Sequence, residues 1–202
     1  MNYKDQTKAS YDRNAEAFDK YFQKSFDEVV GQSAAQEFLK LKPGPIMLDL
    51  GSGPGNHAKF FADQGFDVTC LDISEPLLEK CREKGLRTIQ ADLENLHLPN
   101  EQYDWIWAYA SLLHVPRRKI PRLIKELSKT LKPNGLLAIA VKEGRGQKYE
   151  VNKNFEDVKR WFVYFSKEEL GRLVEPYFEM FYFNRSVVSG KATFLHFFLR
   201  KK

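Results

Sequence analysis

The sequence is most constrained where a short apolar run breaks into glycines. Ile46-Met47-Leu48-Asp49-Leu50 leads directly into Gly51-Ser52-Gly53-Pro54-Gly55, and a helical stretch over about 56–64 stops at Gly65. An apolar run this short, bounded by turn residues, suits a parallel strand covered on both faces better than a helix. The unit then recurs. Residues 67–71 are strand-like, Ser74 is a good helix N-cap, and Leu77, Leu78 and Cys81 line one face of a helix ending at Gly85. Further strands are predicted over 87–91, 105–109 and 136–141, with Ile120, Leu123, Ile124, Leu127 and Leu131 marking an amphipathic helix before the last. Strands alternating with helices predict an α/β fold with a doubly wound, mostly parallel sheet.

The flanks read differently. Ala15, Phe18 and Phe22, then Phe26, Val29 and Val30, recur at helical spacing and predict two or three helices within residues 1–41. Residues 143–154 are polar, contain Gly144 and Gly146, and read as a long loop after a strand. Ser166 caps a short helix over 167–175, and 178–188 with 192–199 form a terminal hairpin around Ser189-Gly190. The expected sheet therefore has seven strands with an antiparallel C-terminal member. The expected organisation is one domain over 1–202, divided into an N-terminal helical segment (1–41), a core (42–142) and a C-terminal part (143–202).

With 43% apolar residues, among them sixteen Phe, nine Tyr and three Trp, the 202-residue chain can bury a full core without staples. Disordered, collagen-like and disulfide-scaffold classes are excluded. No apolar run approaches the roughly 20 residues of a membrane span. The start, Met1-Asn2-Tyr3-Lys4-Asp5-Gln6, has no apolar signal core, so export is not expected. Cys70 and Cys81 form no ligand-spaced pair, which fits a reducing, cytoplasmic setting. The formal net charge of +5 is local: residues 117–132 carry seven basic groups and one acidic, and the remainder sums to −1. That series is expected on the solvent side of a helix, away from the crevice at the strand ends.

The glycine turn has the spacing G-x-G-x-G, without the third glycine placement of a dinucleotide fingerprint and without a P-loop lysine. No Lys or Arg lies within it to meet a phosphate, whereas Asp49 stands two residues before it and favours a cation. Asp72, nineteen residues after Gly53, ends the second strand, where an acidic residue takes both hydroxyls of a ribose. Asp92 ends the third, where it can accept from an exocyclic amine. Taken singly, each strand-end Asp also reads as a helix cap. Together they describe a nucleoside with a cationic tail.

On these residues the chain resembles the class I S-adenosylmethionine-dependent methyltransferases, in particular small free-standing bacterial methyltransferase-domain proteins, over about residues 11–173. Asp49-Leu50-Gly51-Ser52-Gly53-Pro54-Gly55 is similar to the family's first motif, Leu71-Asp72-Ile73-Ser74 to its ribose motif and Ala91-Asp92-Leu93 to its adenine motif. Tyr103-Asp104 through His114-Val115 resembles the fourth-strand segment. Leu131-Lys132-Pro133-Asn134-Gly135 resembles the turn into the fifth, with Asn134 in place of a glycine but tolerant of positive φ. The resemblance implies that S-adenosylmethionine is the cofactor, leaving as S-adenosylhomocysteine. It further implies that Asp49 and Gly51 hold its methionine end within the turn that Ser52, Gly53, Gly55 and Asn56 complete, Asp72 and Ile73 its ribose, Asp92 and Leu93 its adenine, with the Tyr109 backbone near the amino group. It implies that residues 1–41 are a lid, 42–142 the cofactor-binding core, and the loop after the fifth strand part of the acceptor site.

Methyl transfer from a sulfonium is an in-line displacement with an excellent leaving group, so alignment and exclusion of water dominate. A base is needed only for an acceptor protonated at reaction pH. His114, after the fourth strand, is the candidate; the alternative is that it orders the loop through a backbone hydrogen bond. Tyr11 of the lid either faces the sulfonium or packs the lid onto the sheet. His57, His97 and His196 show no metal spacing, and no metal is expected. Arg145, Lys148, Tyr149, Arg160, Trp161, Phe162 and Tyr164 suit an acidic or planar small acceptor, unless Trp161, Phe162 and Phe165 are simply core of the following helix. Tyr109-Ala110-Ser111-Leu112 lacks the Asn-Pro-Pro-aromatic tetrapeptide, which by resemblance argues against amino-group methylation of nucleic-acid bases or glutamine. The alternatives to a small-molecule methyltransferase, as monomer or homodimer, are an RNA or protein methyltransferase motivated by the basic series, and a non-catalytic cofactor-binding module.

Overall fold

The computed structural model describes residues 2–27, 30–41, 44–151, 159–188 and 192–202, without the side chains of 24–34 and 188. Val29, Pro43, Asn154 and the Ser189-Gly190 turn lie outside the described residues, as do the side chains of Phe26 and Val30. Three N-terminal helices, α1 (Tyr3–Arg13), α2 (Ala15–Asp27) and α3 (Val30–Leu39), precede the alternating core. The core runs β1 (Ile46–Leu50), α4 (Asn56–Asp63), β2 (Asp67–Asp72), α5 (Glu75–Glu83), β3 (Arg87–Gln90), β4 (Tyr103–Tyr109), α6 (Ile120–Thr130) and β5 (Leu131–Lys142). Then come β6 (Gln147–Val151), β7 (Lys159–Val163), α7 (Lys167–Val174), β8 (Phe178–Val188) and β9 (Ala192–Lys201).

Seven strands form one sheet in the order β3-β2-β1-β4-β5-β9-β8, as the alternation predicts, with β9 antiparallel to β5 and β8 antiparallel to β9. The order reverses beside β1: one neighbour is β2 and the other is β4. The crevice of an open α/β sheet lies at the strand C-termini where that reversal occurs. Strand parity decides what each face carries. Leu48, Leu50, Ile106 and Ala108 pack toward Leu123, Ile124 and Leu127 of α6 and Leu170 of α7. Met47, Trp105 and Trp107 pack toward Phe38 of α3, Ala58 and Phe61 of α4, and Leu78 and Cys81 of α5. Asp49 shares the Met47 face and is therefore carried under α4.

Several local expectations change. Residues 147–151 are a strand rather than loop: β6 pairs antiparallel with β7 in a separate two-stranded sheet, and Trp161 and Phe162 sit on β7 rather than in the following helix. Alternating side chains with only one face covered give β6 too few apolar residues to register as a strand. Ser74 occupies the N-cap of α5 without capping it, because its hydroxyl donates to Asp12 Oδ1 at 2.6 Å. The basic series is not simply a solvated face. Arg117 pairs with Glu169 and donates to the carbonyls of Gly146 and Tyr164, Lys119 pairs with Glu94 at 2.7 Å, and Lys132 with Asp104 at 2.8 Å. Asn134 takes φ +60°, as its turn requires. No helix among the described residues is long and apolar enough to cross a membrane.

Candidate functional site

The glycine turn is held from two sides. The amides of Gly51 and Ser52 donate to the carbonyl of Leu71 at 2.7 and 3.0 Å, and the Gly53 amide donates to Asp72 Oδ2 at 2.9 Å. Gly51 has φ +70°, and a Cβ there would lie 2.4 Å from the Cβ of Ser111, while at Gly53, φ +55°, no atom lies within 4 Å of one. Gly51→Ala is therefore expected to destabilise the fold by about 2 kcal/mol or more, through left-handed strain plus overlap. Gly53→Ala should cost only the strain, about 1 kcal/mol. Thermal unfolding of the two variants measures the difference.

Asp49 is buried, and its Oδ2 has no hydrogen-bond partner. Burial first, then the nearby Asp72 carboxylate, push the Asp49 carboxyl up to about 8, against the Ala58 amide that pulls it down. Asp72 is also raised by burial, while the amides of Ser74, Gly53 and Ile73 oppose the rise. Ser111 Oγ and Asn56 Oδ1 are likewise buried without a partner. Ala110, between Tyr109 and Ser111, takes φ +56°, unusual for a residue with a side chain. Orphaned buried polar atoms and backbone strain thus gather at the ends of β1 and β4.

The helical segment reaches over these strand ends. Asp12 of α1 accepts from Ser74, two residues beyond Asp72. Lys84 of the α5 end pairs with Asp19 at 2.8 Å, and Asn56 donates to the Asp19 carbonyl at 3.1 Å. Asp92 caps the short turn that carries Leu93, accepting from the Glu94 amide, and its other oxygen pairs with Lys4 at 2.7 Å. Both Asp92 oxygens are thus engaged within the chain. Glu94, buried, takes Tyr3 Oη at 2.7 Å as well as Lys119. Lys4 and Glu94 were invisible as site residues in the sequence because the contacts that bring α1 to this end, Lys4 with Asp92 and Tyr3 with Glu94, span 88 and 91 positions.

On the other side, α1 docks on β7: Ser10 Oγ donates to the Lys159 carbonyl and the Trp161 amide donates to Thr7 Oγ1. This contact brings Tyr11 to His114. His114 Nδ1 lies 2.6 Å from the Trp161 carbonyl, which can only accept, so Nδ1 carries the proton. Nε2 is left to accept from the Tyr11 hydroxyl at 3.0 Å, and Arg160 Nη1 donates to the same hydroxyl at 2.9 Å. Burial first, then Arg160, lower the His114 imidazole to about 3, so it is neutral at physiological pH. Tyr109 stacks between Trp107 and Phe194, with ring planes within 8° and 7°. His57 accepts from Trp107 Nε1 at 2.8 Å and His196 meets Ser186, so both have structural partners. Among the described residues no cluster of ligands suited to a metal ion occurs.

A family model described as a methyltransferase domain matches residues 47–135. A malonyl-[acyl-carrier protein] O-methyltransferase of Enterobacter lignolyticus is 29% identical over 117 residues, 57% of this chain and 43% of that protein. A sarcosine/dimethylglycine N-methyltransferase of Aphanothece halophytica is 37% identical over 101 residues, 46% of this chain and 36% of the other. The chain thus spans well under half the length of these two curated relatives. Among solved structures, the Burkholderia thailandensis 1,6-didemethyltoxoflavin-N1-methyltransferase with bound 1,6-didemethyltoxoflavin and S-adenosylhomocysteine superposes with TM-score 0.78 at 19% identity, covering 99% of this chain and 89% of that one. A DhpI–SAH complex gives 0.75 at 21% identity, covering 98% and 97%. At these identities the structural likeness establishes the fold.

Proposed function

We propose that the chain, whose residues 47–135 match a methyltransferase-domain family model, is a class I S-adenosylmethionine-dependent methyltransferase that transfers a methyl group from S-adenosylmethionine to a small-molecule acceptor. The observation that carries this reading is the buried, unpartnered Asp49 oxygen beside a turn whose Gly53 leaves open space, at the point where strand order reverses. An orphaned carboxylate oxygen there fits a cationic ligand and not a phosphate. When bound, S-adenosylmethionine supplies an electrophilic methyl on a positively charged sulfur.

In this reading Asp49 and the Gly51 backbone face the methionine end, within the turn formed by Ser52, Gly53, Gly55 and Asn56, with the Tyr109 backbone across the crevice. Asp72 and Ile73 take the ribose, and Asp92 and Leu93 border the adenine. Asp92 serves there beside Lys4, whose ion pair closes α1 over that end. Tyr11 directs its proton to His114 and accepts from Arg160, leaving one oxygen lone pair for a cation. His114 is a positioning residue for Tyr11: an imidazole lowered to about 3 is a weak base. The lid and hairpin exclude water. The ion pairs of Arg117, Lys119 and Lys132 speak against a nucleic-acid phosphate surface. Cys70 and Cys81, both free and buried, suit a reducing cytoplasm.

Calorimetric binding of S-adenosylhomocysteine, together with methyl transfer from labelled cofactor to a metabolite extract, tests the proposal. Binding without transfer to any extract would leave a cofactor-binding module instead. Asp72→Ala is expected to weaken binding by about 1.5–3 kcal/mol, because it removes charge-assisted hydrogen bonds and the acceptor of the Gly53 amide. Unchanged affinity would refute the ribose assignment.

A further inference from the structure

We propose that Arg160 of β7, where it faces Tyr11 of α1, binds a carboxylate of the acceptor, so that the substrate is a small carboxylic acid; this rests on the methyltransferase reading and names the class of molecule it serves. The Arg160 guanidinium carbon lies 5.3 Å from the ring centre of Tyr11, 5.1 Å from that of Phe18 and 5.2 Å from that of Phe162. Its Nη1 is used by Tyr11, while its Nε is buried with no partner. Among the described residues no carboxylate pairs with it. Glu150 stands directly opposite Arg160 in the β6–β7 register, the natural place for a cross-strand counter-ion. Yet Glu150 is taken by Lys142 at 2.5 Å and by the Tyr164 hydroxyl.

The missing partner has a definite chemistry. A partly buried guanidinium without an anion is destabilising, and ring faces offset only part of that. Lys142, with Nζ 3.8 Å from the Phe162 ring centre, and Lys148, which acts on both Lys142 and Glu150, add to Arg160 more positive charge than Glu150 offsets among the described residues. A bound anion offsets part of that excess. The Nε–Nη2 edge of arginine is a planar fork that matches the two oxygens of a carboxylate, and Nε is the donor left vacant. Tyr11, Phe18 and Phe162 around it supply apolar contact for the rest of a small acid. Because Tyr11 is bonded to the same guanidinium, the anchor and the proposed methyl-facing hydroxyl are held at a fixed separation.

The test uses the full chain with labelled S-adenosylmethionine and a metabolite extract split on a strong anion exchanger. Transfer is expected in the retained fraction, to survive alkaline phosphatase, and to vanish when that fraction's carboxylates are amidated with methylamine and carbodiimide. With the acceptor purified from it, Arg160→Gln should raise KM about 30-fold or more. Arg160→Lys should fall between, and S-adenosylhomocysteine affinity should stay within a few-fold in both variants, showing that they fold. Transfer confined to the flow-through, loss on phosphatase treatment, resistance to amidation, or an unchanged KM in Arg160→Gln would overturn the carboxylate assignment while leaving the methyltransferase reading intact. Transfer in neither fraction would remove both.

Discussion

Replacing Asp49 by Asn is expected to weaken S-adenosylmethionine binding by about 3–5 kcal/mol near pH 8, the loss typical of stripping one partner from a buried charge pair. Asn keeps the shape and one acceptor for the Ala58 amide, so the fold should survive. The pH dependence makes the test sharper. In the free protein the Asp49 carboxyl is pushed up to about 8 by burial and by Asp72. Between about 4 and 8 the native state then holds a proton that the unfolded chain has released, so the contribution of this group to stability falls as pH rises through that window and levels off above it. A cationic ligand favours the ionised form, so binding below pH 8 must expel the proton. Cofactor affinity should rise with pH up to about 8 and then flatten, and calorimetry in buffers of different ionisation enthalpy should detect proton release near neutrality. In Asp49→Asn this proton release should disappear. Full retention of affinity in the variant would show that Asp49 does not face the cation.

Tyr11→Phe is expected to lower kcat about 100-fold while cofactor affinity changes only a few-fold, because the hydroxyl is assigned to alignment at the sulfonium. His114→Gln should give a smaller loss, about 10-fold, since it loosens the hydroxyl without deleting it. The distinguishing readout is the pH profile. With His114 lowered to about 3 by burial and Arg160, kcat/KM should show no limb near pH 6–7 that belongs to it. A limb in that range that vanishes in His114→Gln would make His114 the general base and overturn the positioning role.

Much of this was legible in the sequence because it depends on local pattern. The apolar runs that break into glycine or Asp set β1 and β2, and the alternation of strands with amphipathic helices fixes a doubly wound sheet through right-handed crossovers alone. Gly51, Gly53 and Gly55 could be read as a positive-φ turn because few other residues adopt it, and all three do. Strand-end Asp49 and Asp72 followed from where those strands stop. The β6–β7 sheet was not legible: its strands pair with each other and α1 rather than with the main sheet, so neither carries a strong apolar period.

What only the tertiary structure decided is which groups meet across long separations. Asp92 is chemically equivalent to Asp72 in the sequence, yet one is shared with Lys4 and the other with two loop amides. His114 could be base or brace until the main-chain carbonyl of Trp161, which has no sequence signature, fixed its tautomer. The basic series looked like an unpaired face until Glu169, Glu94 and Asp104 were brought to Arg117, Lys119 and Lys132. The sequence by itself determined the sheet, the glycine turn and the carboxylates at its edge, because backbone sterics and periodicity act over a few residues. Charge state, tautomer and partnership belong to the folded chain, because they depend on burial and on neighbours that only packing supplies.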